Sequence, residues 1–100
     1  MTPEGKVKAE IVDYLKTMRP DIWYYCAQDR FTAGIPDIIC CYRGRFIGIE
    51  VKRIEYNKDM RRYNRLQEVI GEKIVEAGGD HCIATSIENV KQFFFDSEVL

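Results

Sequence analysis

The stretch GIPDIICCYRGRFIGIEVK, residues 34–52, decides the fold. It holds two strand-sized apolar runs, Asp37 to Tyr42 and Arg45 to Lys52, which meet at Arg43-Gly44. Glycine accepts positive φ without a Cβ penalty, so an X-Gly pair between two such runs predicts a tight two-residue hairpin. A turn centred there faces Tyr42 with Arg45, and counting outward sets Asp37 directly opposite Glu50. Directly opposed residues share a face, with Cβ atoms about 4.5–5.5 Å apart. Two carboxylates at that spacing repel and need compensation. A divalent cation supplies it, since Mg²⁺ takes one or two carboxylates at about 2.0–2.1 Å and keeps waters for a substrate. Lys52, two residues beyond Glu50, falls on the same face. The ordinary alternatives are a loop-capping Asp37 and a Glu50–Lys52 pair on an open sheet face. Against them stands the rest of the strand, Phe46, Ile47, Ile49 and Val51, which charged residues seldom enter without a partner or a function.

Upstream, Thr2 caps a helix with Pro3 at its first position. Val7, Ile11, Leu15 and Met18 recur at helical spacing and Pro20 stops the run. Glu10 lies at the edge of that stripe, where its carboxylate leans towards the sheet as a further candidate ligand. Ile22 to Ala27 reads as a strand, and Gln28 to Pro36 as a loop. Downstream, a second helix runs from about Lys58 to Ala77 with Tyr63, Leu66, Ile70, Ile74 and Ala77 on one face, and Gly78-Gly79 ends it. His81 to Ala84 is a short strand, and Ser86 caps a last helix running to about Phe95. The order α-β-β-β-α-β-α predicts one domain over residues 1–100, an α/β fold in which a mixed sheet is flanked by helices.

Composition narrows the class. The chain is 100 residues long, 46% hydrophobic and 31% charged, which is globular rather than disordered. No apolar run approaches the roughly 18 residues of a membrane span, and the first residues lack a signal peptide's apolar core, so a reducing cytoplasm is the expected compartment. Cys26, Cys40, Cys41 and Cys82 form no CxxC pair; Cys40 and Cys41 read as small buried hydrophobes. The net charge of −1 conceals an asymmetry: residues 43–65 carry eight bases against three acids, and residues 66–100 carry two bases against seven acids. A phosphate-rich partner fits the middle third, although a solvated helix face produces the same pattern. One histidine, His81, leaves no His-metal cluster, and neither GxSxG nor GxxxxGK[ST] occurs.

Gly34-Ile35-Pro36-Asp37 and Glu50-Val51-Lys52, with twelve residues between the two carboxylates, resemble the PD-(D/E)XK nuclease signature. With Glu10 on the opening helix and Leu66-Gln67 on the next, the pattern looks like the virus-type replication-repair nuclease (VRR-NUC) domain. The likeness runs from about Thr2 to Ile87. It departs from the family where a Ser-Pro-x-Gln-like stretch is common and this chain reads Arg62-Tyr63-Asn64-Arg65-Leu66-Gln67. The resemblance implies a restriction-endonuclease-like αβββαβ core and Mg²⁺- or Mn²⁺-dependent hydrolysis of DNA phosphodiesters. Asp37, Glu50, the Val51 carbonyl and Glu10 are the implied metal ligands. Lys52 is implied to orient water or stabilise phosphate charge, with Gln67 assisting. Arg53, Lys58, Arg61, Arg62 and Arg65 are candidates to track DNA phosphates. Small stand-alone domains of this kind resemble homodimeric four-way (Holliday) junction resolvases, often from phages, which work in the bacterial host cytoplasm. Trp23-Tyr24-Tyr25 and Phe93-Phe94-Phe95 are candidate dimer surfaces, unless alternate members simply fill the core. The alternatives are a flap or duplex nuclease of the same superfamily and a non-catalytic DNA-binding subunit.

Overall fold

The structure, a computed structural model, describes residues 2–27, 34–52 and 61–99, without the side chains of 61–64 and 97–99. Helix α1 (Pro3–Lys16) begins as its sequence predicts, with Thr2 Oγ1 accepting from the Gly5 amide at 3.0 Å and Pro3 in the first turn. Strands β1 (Ile22–Cys26), β2 (Ile38–Tyr42) and β3 (Arg45–Val51) follow as an antiparallel meander. Both turn residues between β2 and β3 have positive φ, 50° at Arg43 and 84° at Gly44, the primed geometry whose twist suits a hairpin. The ladder pairs Tyr42 with Arg45 and Ile38 with Ile49, so its next step sets Asp37 against Glu50, the register expected from the turn.

Helix α2 (Arg61–Glu76) then crosses the sheet to β4 (Asp80–Ala84), which pairs parallel with β3. Helix α3 (Ile87–Val99) closes the chain. Its start is held by Asn89, whose Oδ1 accepts from the Thr85 and Ser86 amides, a reach back towards the cap in place of a Ser86 side-chain cap. The result is a mixed four-stranded sheet in the order β1-β2-β3-β4 with helices on both faces. No helix among the described residues is long and apolar enough to cross a membrane.

Strand alternation sorts the side chains. Ile22, Ile38, Cys40, Tyr42, Ile47, Ile49, Val51, Cys82 and Ala84 share one face and form the core with Ile11, Leu15, Val90 and Phe94 from α1 and α3. Phe94 stands edge-on to Tyr42, ring centroids 5.1 Å apart. The opposite face carries Trp23, Tyr25, Ile39, Cys41, Phe46, Gly48, Glu50, His81 and Ile83 by the same alternation. Helix α2 packs over β3 and β4 on that face, while on β1 and β2 Trp23, Tyr25 and Cys41 are exposed and Ile39 is half-buried.

Two expectations change, and one open choice is decided. Cys41 is exposed while its neighbour Cys40 is buried, because strand period sends adjacent residues to opposite faces; burial pushes the Cys40 thiol up to about 12. Of the two readings of the aromatic triplets, members filling the core holds for three of the six residues. Tyr24, Phe93 and Phe94 pack into the core, Trp23 and Tyr25 are exposed on the face opposite it, and Phe95 is exposed on α3. Helix α2 does not bury the apolar stripe read from its sequence. Leu66 and Ala77 are exposed, Ile70 and Ile74 half-buried, and Gln67 and Gly71 are the buried members. The helix is rotated towards a polar residue because of what faces it.

Candidate active site

Three close approaches seat α2 and the loop before β2. Gly34 (φ 90°) lies so near α2 that an added Cβ would fall 2.7 Å from the Leu66 carbonyl oxygen. A Cβ on Gly48 would meet Pro36 at 2.8 Å, and one on Gly71 would meet the His81 ring at 2.6 Å. These contacts press Gly34-Ile35-Pro36-Asp37 between helix and sheet. They bring the start of α2, and with it Gln67, over the end of β3.

At that end the polar groups converge. Asp37 Oδ2 accepts from the Val51 amide at 2.7 Å. Gln67, 4% exposed, donates through Nε2 to Glu50 Oε1 at 2.7 Å and accepts the Lys52 ammonium at Oε1. A lysine ammonium can only donate, so the amide's orientation is set by its neighbours. Glu50 is 2% exposed, and among the described residues its Oε2 has no hydrogen-bond partner. Burial pushes its carboxyl up to about 9, the adjacent Asp37 adds to the rise, Lys52 opposes it, and Glu4 on α1 adds a smaller share. A buried carboxylate with an orphaned oxygen, beside a second carboxylate, is the arrangement a cation would relieve.

The structure brings together Asp37, Glu50, Val51, Lys52 and Gln67. It does not bring Glu10, which is exposed. At 3.6 residues per turn Glu10 lies about 120° around the helix from the midline of Ile11 and Leu15. Glu4, also exposed, lies on that midline about two turns before Ile11, and its charge adds the smallest share to the rise at Glu50. The signal for Glu4 was its spacing of seven and eleven residues from Ile11 and Leu15; an acid in a first turn is otherwise explained by the helix dipole. Arg65 is exposed and loosely paired with Glu68 at 3.8 Å. Arg53 and Lys58 lie outside the described residues, as do the side chains of Arg61 and Arg62. His81 is half-buried under α2 with its pKa lowered by burial, which suits a neutral packing residue. No group of three or more His, Cys, Asp and Glu side chains that could hold a metal occurs among the described residues. Magnesium does not require one, because one or two carboxylates and several waters suffice. Asp37 and Glu50 are the residues that could hold it.

No family model matches the sequence, and no curated protein is significantly similar to it. A solved structure described as a VRR_NUC domain is similar in fold, with a TM-score of 0.74 over 94% of this chain and 96% of that one, at 19% identity. The chain therefore has the fold of a VRR-NUC domain, the α/β architecture expected from its motifs.

Proposed function

We propose that this protein is a divalent-metal-dependent nuclease that hydrolyses DNA phosphodiester bonds at branched structures. Cleavage of four-way junctions by a homodimer is one form of that activity, and flap cleavage is the other. One observation carries the reading: on a VRR-NUC-like fold, the buried Glu50 shares a face with Asp37 and is tied through Gln67 to Lys52. A purely structural role gives little reason to bury one acid beside another at a cost that pushes its carboxyl up to about 9.

Each residue has a task. Asp37 and Glu50 would hold Mg²⁺ or Mn²⁺, which supplies Lewis-acid polarisation of the phosphate and a more acidic water. Asp37 is fixed by the Val51 amide, so its carboxylate does not have to be ordered when substrate arrives. Lys52 offers a positive charge to the negative charge that grows on the phosphate in the transition state. Gln67 holds the lysine and Glu50 at a set spacing through opposite ends of one rigid amide. Basic residues of the middle third supply contacts to phosphates, which position a substrate without reading its sequence.

The test is cleavage of labelled four-way junction, 5′-flap, single-stranded and duplex DNA with Mg²⁺ or Mn²⁺ against EDTA. Metal-dependent cutting is expected, and Asp37→Asn and Lys52→Ala should each lower it at least a hundredfold while the variants keep a native circular-dichroism spectrum. Binding without cutting in either metal would leave a DNA-binding subunit. For the basic cluster, Arg61→Ala combined with Arg62→Ala should lower the magnitude of the slope of log K against log salt by about 2. An unchanged slope assigns both arginines to the solvated surface.

A further inference from the structure

The face that carries Asp37 and Glu50 is laid out in rows. The first row is Ala27, Asp37 and Glu50, the Ala27 amide donating to the Asp37 carbonyl at 2.9 Å. The second is Tyr25, Ile39 and Gly48, and the third Trp23, Cys41 and Phe46. Successive rows are two strand residues apart, about 7 Å. Tyr25 is the diagonal neighbour of Asp37 across the β1–β2 ladder, within reach of an aromatic side chain. Trp23 and Tyr25 are 62% and 56% exposed, and their rings lie parallel within 5°, centroids 6.4 Å apart. That separation is close to twice the ~3.4 Å rise of stacked bases. The second and third rows hold no charged side chain, so nothing in them repels a polyanion.

We propose that Trp23 and Tyr25 form a stacking platform for unpaired DNA bases next to the scissile phosphate, which makes substrates with unpaired nucleotides, such as flaps, preferred over fully paired junctions. The proposal rests on the nuclease reading of Asp37 and Glu50. A phosphate held at the first row leaves its neighbouring nucleotides one and two row spacings away, over Tyr25 and then Trp23. Paired bases are stacked inside the duplex and cannot lie on these rings, whereas every unpaired base offers a π-face. A second copy of the chain is the poorer occupant. With Phe46 43% exposed, the three rings present roughly 300–400 Å² of accessible surface, about half of the ~800 Å² per partner of a stable interface.

Trp23 is the sole tryptophan, so intrinsic fluorescence reads the platform directly. The full chain is titrated in EDTA with an eight-nucleotide oligothymidine and with a blunt duplex. Quenching by the single strand but not by the duplex is expected. By anisotropy of a fluorescein-labelled oligothymidine, which reads variants without the tryptophan, Tyr25→Ala should weaken single-strand binding about tenfold, with Trp23→Phe retaining most of it and duplex binding unchanged. Absence of quenching, or equal single-strand affinity in Tyr25→Ala, overturns the platform. So does a dimer in sedimentation that Trp23→Ala dissociates, because the rings then seat a second copy. Quenching by single strands without cutting in Mg²⁺ or Mn²⁺ removes the nuclease and keeps the platform. Normal cutting of all substrates by the Trp23→Ala, Tyr25→Ala double variant does the reverse.

Discussion

Glu50→Gln is expected to abolish cleavage and, in the same protein, to raise the melting temperature measured in EDTA at neutral pH. The two effects have one cause. In the unfolded chain a glutamate ionises near pH 4.5, whereas burial and Asp37 push the folded Glu50 up to about 9. Between those values the folded protein binds one proton more than the unfolded chain, so stability falls as pH rises. It is greatest below about pH 4.5 and the loss is complete above about 9. At pH 7 the penalty is about 3 kcal/mol, from 1.36 kcal/mol for each pH unit above the ordinary carboxylate value. Glutamine keeps the shape, still accepts from Gln67, and replaces the orphaned oxygen with a donor facing acidic surroundings. The variant should therefore melt several degrees higher at pH 7 in EDTA and lose the pH slope. In the native protein, saturating Mg²⁺ should flatten the slope, because a cation that binds only the ionised site stabilises it by mass action. A metal-free melting temperature that does not change between pH 5 and pH 9 would refute the buried-acid account. Stability given up at one carboxylate is the signature of a site kept for chemistry rather than for folding.

Much of this site could be read along the chain because it lies within one hairpin. The Arg43-Gly44 turn fixes register, and register places Asp37 against Glu50 with Lys52 on their face. What the sequence hides is long-range. The parallel pairing of β4 with β3 depends on the route of α2, not on any local pattern. The α2 stripe of Leu66, Ile70, Ile74 and Ala77 looks like the buried face by hydrophobicity, yet the helix turns Gln67 and Gly71 inward. Glycines on three elements remove the side chains that would hold it off, and hydrogen bonds to Glu50 and Lys52 offset the cost of burying an amide. Glu10 adjoins Ile11 along the sequence, yet it lies about 120° around α1 from the Ile11–Leu15 midline and is exposed. Alternation in β1 is likewise a period-two property, which divides Trp23-Tyr24-Tyr25 between two faces.

The glycine of Gly34-Ile35-Pro36-Asp37 then becomes a test of how the site is assembled. Gly34 and Gly78 both have φ near +90°, at 90° and 98°, so alanine at either position carries a similar backbone strain. Their surroundings differ. A Cβ at Gly78 meets nothing within 4 Å, and one at Gly34 lies 2.7 Å from the Leu66 carbonyl oxygen and 3.2 Å from the Gln67 nitrogen. Backbone of a helix cannot yield as a flexible side chain does, so the loop or α2 must move. Gly78→Ala should cost about 1–2 kcal/mol, the strain of the left-handed conformation alone. Gly34→Ala should cost about 2–3 kcal/mol more, in the range of overpacked cores, and lower the melting temperature by a further ten degrees or so. Cleavage should fall about a hundredfold even where the variant is fully folded, because the displaced groups are Asp37 on one side and Gln67 on the other. Urea melts of both variants with single-turnover cleavage at low temperature measure the two effects separately. If Gly34→Ala is no less stable than Gly78→Ala, the close approach does not hold the motif on α2. If it is less stable but cuts at the native rate, Gln67 does not need its observed position, and the lysine is held well enough by the rest of the site.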